Sequence, residues 1–232
     1  MKRLGIVTAL APEAAIARRA KASGAHETTA PIVHFAGPGP DRAQRAARTL
    51  IAEGSVALLS FGVSGGLDPT LLPGDVVLAD RLIGPDQTVF GTAPEWRDRL
   101  LRAGGDRLVM RIGDIAGVDQ PVRHPRDKAS LYRATGAMAL DMESCAVARI
   151  AHDADIPFLV IRAIADPASR TIPEAAMRAM GPDGQTHPLK ALRALLESPS
   201  EIWNFALLAR DGRAAFAALR RVALLGPDFG FV

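Results

Sequence analysis

One cysteine stands among the 232 residues, so no internal disulfide can staple this chain and a reducing compartment suits it. No apolar run approaches the roughly 18 uninterrupted residues that a membrane span requires. The start, MKRLGIVTAL, pairs a basic end with a short apolar run that meets Pro12 and Glu13; it reads as a buried first strand rather than a signal peptide. Charge of either sign is not in excess: 28 Lys and Arg face 25 Asp and Glu, net +3. The arginines are dispersed rather than blocked, which removes the electrostatic reason to expect nucleic acid as a partner. The five histidines show no metal-ligand spacing with Cys, Asp or Glu, so neither a metal nor another cofactor is expected. Internal repeats and linkers are absent too.

What is present is apolar mass, 48% of the residues, enough for one substantial core and a single domain over 1–232. Strand-like runs cover Arg3–Leu10, Ile32–Ala36, Val56–Phe61, Gly74–Leu82 and Leu108–Ile115. Helical spacing follows Pro12 and covers Asp41–Glu53, Pro94–Ala103 and Arg126–Thr135. Strands alternating with helices predict an α/β fold with a mixed, mostly parallel twisted sheet flanked by helices. After Asp166 the chain turns helical, over about Pro173–Met180, Pro188–Leu196 and Glu201–Leu224. On the last of these Phe205, Leu208, Phe216 and Leu219 share a face, with Arg210, Arg213, Arg220 and Arg221 near the other. Such a helix either docks on the sheet with a solvated arginine face or lies on a membrane surface.

The stretch from Ala139 to Asp166, ALDMESCAVARIAHDADIPFLVIRAIAD, organises the rest. It reads as strand end, helix and buried strand, and it places acids, Asp141, Glu143 and Asp166, at strand ends, where α/β sheets bind ligands. Arg162 is a charge inside an apolar strand and needs a partner. Singly, Glu13, Glu143 and Asp166 read as helix-start or turn acids, Met142 as a core plug, and Gly62–Gly66 as an ordinary glycine turn. That turn lacks both the P-loop Lys and the full dinucleotide fingerprint.

Together, and in this order, four segments resemble the purine nucleoside phosphorylase / methylthioadenosine-adenosylhomocysteine nucleosidase superfamily. They are GIVTALAPE, FGVSGGLDPTLLPGDVVLAD, ALDMESCAVA and PFLVIRAIAD. The GPGPDRA turn, the THPLKALRALL segment and the Arg/Ala-rich final helix are similar to its hopanoid-associated branch, which removes adenine from adenosylhopane. The resemblance implies roles. Asp166 would be the general acid at adenine N7, Glu143 the acceptor for both ribose hydroxyls, and Met142 a packing surface for the sugar. Glu13 would activate water for attack at C1′, with Arg162 holding the acids, while Ser64, Gly65 and Gly66 let backbone approach ribose and base. Two departures stand out. Ala165 occupies the place where family nucleosidases carry Ser before the catalytic Asp, and Val118–Val122 offers no aromatic to stack on adenine.

Thr8–Glu13 holds no cation, and an anion beside Glu13 would be repelled, so hydrolysis is the expected reaction. Phosphorolysis with Arg42 as phosphate ligand is the alternative, and so is a methylthioadenosine/adenosylhomocysteine nucleosidase. A catalytically idle nucleoside-binding or membrane-peripheral scaffold is the alternative of another class. The resemblance further implies a cytoplasmic homodimer and a nucleoside substrate with an apolar 5′ tail. The tail would sit against Trp203, Phe205, Leu208 and Phe216, or in a membrane that the enzyme touches peripherally.

Overall fold

The computed structural model describes residues 3–21, 30–105, 108–179, 181, 197, 199–226 and 229–231. Its strands are β1 (Arg3–Thr8), β2 (Ile32–Phe35), β3 (Ser55–Gly66), β4 (Val76–Ile83), β5 (Val89–Gly91), β6 (Met110–Gly117), β7 (Ala139–Asp141) and β8 (Phe158–Asp166). The helices are α1 (Ala11–Lys21), α2 (Pro40–Ala52), α3 (Pro94–Gly104), α4 (Pro125–Thr135), α5 (Ser144–Asp153), α6 (Glu174–Ala179) and α7 (Ile202–Ala223). Prolines open α2, α3 and α4, where the missing N–H has no intrahelical partner to lose. Gly136 closes α4 in the left-handed conformation, a backbone state that costs glycine little.

The strands join into one eight-stranded sheet of order β2-β1-β3-β7-β6-β4-β5, with β8 paired to both β3 and β4. Five of the eight pairings are parallel, so the expected mixed, mostly parallel sheet is what forms. It is not a flat open layer, however. β3 pairs with β8 over Leu58–Gly65 and then with β7 at Gly65 and Gly66. The circuit β3-β8-β4-β6-β7 thereby closes on itself. The glycine segment 62–66, expected as a turn, is the far half of β3; small residues let that strand change neighbours where a bulged register falls between Ser64 and Gly65. The three-residue strand β5 was not anticipated, because its exposed Val89 and Gly91 dilute the apolar signal.

Side-chain alternation along the strands feeds two cores. Leu159, Ile161 and Ala163 face α1 and α7 with Leu59 and Phe61, while Phe158, Val160 and Ile164 face α2 and α5 with Leu58. Arg162 stands on the second face, in series with Val160 and Ile164. The expected final helix is present, preceded by a 3-10 turn at Pro199–Glu201; a helix at Pro188–Leu196 falls outside the described residues. Phe216, expected to face a substrate tail, packs on the core instead. Phe205 and Leu208 are half-buried, and Trp203 is 72% exposed. No helix among the described residues is long and apolar enough to cross a membrane.

The end of the chain returns to the core. Phe229 is fully buried, its ring 5.2 Å from that of Phe61, and its carbonyl accepts the indole N–H of buried Trp96 at 2.7 Å. Phe229→Ala should therefore cost about 3–5 kcal/mol, the usual range for a buried phenyl ring. Urea unfolding measures it. A cost below about 1 kcal/mol would mean that the core closes without this ring.

Candidate active site

The site is built along the second half of β3. Glu13 occupies the third position of α1 and reaches back to the helix start. Its Oε2 accepts the N–H groups of Leu10 (2.8 Å) and Ala9 (3.0 Å), as the acid of a capping box does. Its Oε1 accepts the Val63 N–H of β3 at 2.8 Å. Glu13 is thus a cap and a cross-link at once, and it is buried. Burial pushes its carboxyl above the ordinary range, against the pull of the Arg162 charge and the three N–H donors. Beneath it a Cβ on Gly62 would lie 2.5 Å from Glu13 Oε1 and 2.6 Å from Arg162 Nη1. Only a residue without a side chain lets these two groups cross the strand.

Arg162 is buried to 1% exposure, and its principal partner is Asp141. Its Nε donates to Asp141 Oδ2 at 2.6 Å, and its Nη2 donates to Ser60 Oγ (2.8 Å) and Ser144 Oγ (2.9 Å). Asp141 also caps α5, its Oδ1 accepting the N–H groups of Glu143 and Ser144, while the Ser144 hydroxyl donates to Oδ2. Arg162 was expected to hold Glu13 and Glu143. Its Nη2 also pairs with Glu143 Oε2 at 4.0 Å, an ion pair beyond hydrogen-bond length, and its charge acts on Glu13 without a direct bond among the described residues. Desolvation works against the guanidinium, and the neighbouring acids, Asp141 first, more than restore its preference for the charged form.

Glu143 accepts the Gly39 N–H at 2.8 Å through Oε1, which ties the turn before α2 to the site. Burial, then the negative charge of Asp141, pushes its carboxyl up to about 7. Arg42, half-buried in the first turn of α2, follows three residues after Gly39. Met142 is half-buried in the bend between β7 and α5. Ser64 is buried, and its hydroxyl has no partner among the described residues. A buried hydroxyl left so is costly unless a ligand satisfies it.

Asp166 ends β8 opposite Gly65, with Oδ2 3.1 Å from where a Cβ on Gly65 would sit. A Cβ on Gly66 would meet Ile164 and the Pro167 backbone at 3.2 and 3.3 Å. Burial pushes the Asp166 carboxyl up, and Lys128 opposes the shift. Sequence reasoning missed Lys128 and passed over Asp141 as a mere strand-end acid. A signal for Lys128 exists: it lies three and four residues before Leu131 and Tyr132, on the inward face of α4. The half-buried Val118 and Val122, which bring no aromatic themselves, pack with those two residues against Leu67 and Leu140, so that Tyr132 supplies an aromatic ring to this cluster.

The structure therefore brings Glu13, Arg162, Glu143, Asp141, Ser64, Gly65 and Asp166 together around residues 62–66 of β3. A cavity of about 660 Å³ opens elsewhere, between β5 and α5, lined by Phe90, Thr92, Arg149, His152 and Phe158. It holds none of these acids, and the chemistry argues for the β3 site instead.

A closed mixed sheet carrying acids at its strand ends defines the class. Residues 22–197 match the model of the phosphorylase superfamily, and the chain belongs to that superfamily. A 5′-methylthioadenosine/S-adenosylhomocysteine nucleosidase of Mycobacterium bovis is 32% identical over 162 residues, 51% of this chain and 62% of the relative. One from Tolumonas auensis is 32% identical over 136 residues, 50% of this chain and 59% of the relative. The chain thus spans about three-fifths of the length of these curated relatives. Among solved structures, the Neisseria meningitidis nucleosidase in complex with methylthio-immucillin-A superposes with a TM-score of 0.74 at 18% identity, covering 97% of this chain and 98% of that one. Futalosine hydrolase of Helicobacter pylori gives 0.71 at 19% identity, covering 95% and 96%. These likenesses establish the fold.

The raised Glu143 carboxyl makes stability depend on pH. Its pKa stands above the ordinary 4.5, so its contribution is fully present below pH 4.5 and is lost as pH rises through about 7. Glu143→Gln, which does not ionise, should match the wild type near pH 4.5 and exceed it at pH 8 by up to about 3 kcal/mol, at roughly 1.4 kcal/mol per pKa unit. Thermal unfolding of both proteins across this range reads the difference. A gap that stays constant with pH would place the ionisation of Glu143 elsewhere.

Proposed function

We propose that this chain is a purine nucleosidase that hydrolyses the N-glycosidic bond of a 5′-substituted adenosine and releases adenine. The observation that carries the reading is the approach of Glu13 and Asp166 to one short stretch of β3, at Val63 and at Gly65, with the unpartnered Ser64 hydroxyl between them. Breaking the bond leaves positive charge on the ribose and negative charge on the base. Glu13, whose Oε1 keeps a lone pair beyond the Val63 N–H, would take a proton from the attacking water. Asp166, with its pKa raised by burial, would give one to the base. Glu143 would accept from the ribose diol through Oε2, and Met142 would pack on the sugar. Arg162 would serve by fixing Asp141 and the start of α5, which aims Glu143.

The preferred substrate is adenosylhopane, giving ribosylhopane, and the chain would act as one domain in a homodimer. A methylthioadenosine/S-adenosylhomocysteine-type nucleosidase is the nearest second reading, favoured by the names of the curated relatives. Incubation with adenosylhopane and with methylthioadenosine, with and without phosphate, decides between them when the sugar product is identified. Free ribosyl product independent of phosphate is expected; a phosphoribosyl product would bring Arg42 in as the phosphate ligand and end the hydrolytic reading. Asp166→Asn should fold and lose about 10²–10⁴ in turnover. Undiminished adenine release by the folded variant would remove Asp166 from the mechanism.

A polycyclic tail must leave water, since burial is worth about 25 cal/mol per Å². Ile202 (52% exposed) and Trp203 (72% exposed) open α7 as adjacent large apolar groups, and they are the surface proposed to meet the tail or a membrane holding it. Replacing both by Ser should leave cleavage of methylthioadenosine unchanged and reduce that of adenosylhopane about tenfold, the effect of roughly 1.4 kcal/mol of lost contact. Equal rates on adenosylhopane would remove this surface from the substrate path.

A further inference from the structure

Lys128 is the first-turn cation of a helix, a place that the macrodipole disfavours, and it is fully buried, which desolvation disfavours again. Its ammonium uses all three donors: Asp166 Oδ2 at 2.6 Å, the Asp166 carbonyl at 3.0 Å and the Pro167 carbonyl at 3.0 Å. Three acceptors, one of them a carboxyl oxygen, suit the charged form. They also leave one outcome for the acid: with Oδ2 occupied, any proton that Asp166 carries or delivers belongs to Oδ1. The superfamily resemblance places a hydroxyl before the catalytic Asp for this orienting task, and here that position is Ala165.

We propose that Lys128 is the positioning residue of Asp166, holding Oδ2 so that Oδ1 alone meets the nucleobase, and stabilising the carboxylate that proton delivery leaves behind. The inference rests on the role given to Asp166 above. In the step, the N-glycosidic electron pair goes to the base and the Oδ1 proton joins a base nitrogen. Water oxygen bonds C1′ and yields its proton to Glu13. Asp166 ends as a carboxylate against an ammonium, and the site resets when Glu13 releases its proton to solvent and Asp166 takes one up. The other charges acting on Asp166 are Asp211 of α7 and Arg170 of the turn after β8. They pair with each other at 2.7 Å, and Arg210 also binds Asp211 at 3.1 Å, so Lys128 is the cation in direct contact.

Removing the ammonium removes a charge that holds the Asp166 carboxyl down, so Asp166 should keep its proton to higher pH. Lys128→Met is the direct variant. Lys128→Gln, whose amide still donates but carries no charge, serves if the first does not fold. Two readouts are taken. The first is ¹³C NMR of aspartate-labelled protein without substrate, the Asp166 resonance being the one lost in Asp166→Asn. Its titration midpoint should move up by a unit or more. The second is the pH profile of adenine release from methylthioadenosine. Its alkaline limb should move in the same direction, with kcat about ten- to a hundredfold lower and KM little changed, and with no further loss when Lys128→Met is added to Asp166→Asn. An unmoved NMR midpoint overturns the inference whatever the enzyme cleaves, because a purely structural lysine would lower the melting temperature and leave the titration alone. A moved midpoint with an unmoved rate profile leaves Lys128 in control of Asp166 and overturns instead the role of Asp166 in the reaction.

Discussion

Everything at this site depends on one buried cation. Arg162 sits where a strand between two cores should carry an aliphatic residue, and an unpaired guanidinium there would be untenable. Its three hydrogen bonds to side chains among the described residues run to Asp141, Ser60 and Ser144, which belong to the end of β7, to β3 and to the start of α5. Satisfying one charge therefore locks three elements in register. It also pairs with Glu143 at 4.0 Å and presents a positive field to Glu13. Replacing such a pair by apolar groups would be no loss to stability in many proteins. Its presence is better understood as the means of gathering carboxylates in one place.

The glycine stretch of β3 is the counterpart of that charge. Gly62 is required because Glu13 and Arg162 pass over it, and Gly65 because the Asp166 carboxyl lies against it. A strand of ordinary residues would push the acids away from one another. The same lack of side chains lets β3 leave β8 and take up β7, which closes the sheet and brings the end of β7, with Asp141, beside the end of β8. Local composition, sheet closure and site geometry are thus consequences of a single segment.

Much of this was legible before any coordinates. Hydrophobic period marked seven of the strands and most helices, and the ends of α2, α3 and α4 announced themselves through proline. Acids at strand ends pointed to Glu143 and Asp166. What could not be read were relations between distant segments. Glycines 62–66 look like a turn because strand propensity is counted from side chains, and here the pairing partners on both sides supply the order. Asp141 looked secondary to Glu143, since nothing in ALDMES tells which acid will face Arg162. Lys128 drew no reading within RDKASLYRAT, because only the fold shows that the first turn of α4 points at the end of β8.

Charge is also distributed along β3 in a way that suits the proposed reaction. At the Val63 end three acids, Glu13, Asp141 and Glu143, surround the single positive charge of Arg162. Burial first, and then the charge of Asp141, push Glu143 up to about 7, and this excess of acid is the environment in which a ribosyl cation would be stabilised most. At the Gly65 end Asp166 meets the full charge of Lys128 at 2.6 Å, which suits a base that gathers negative charge as it departs. The polarity of the site therefore runs parallel to the polarity of the bond that would break. Fixed groups in a dry site need no reorganisation as charge develops, which is the condition under which electrostatics contribute most to a rate. Acids alone would have favoured the sugar and opposed the base; the buried lysine supplies the other half of the gradient.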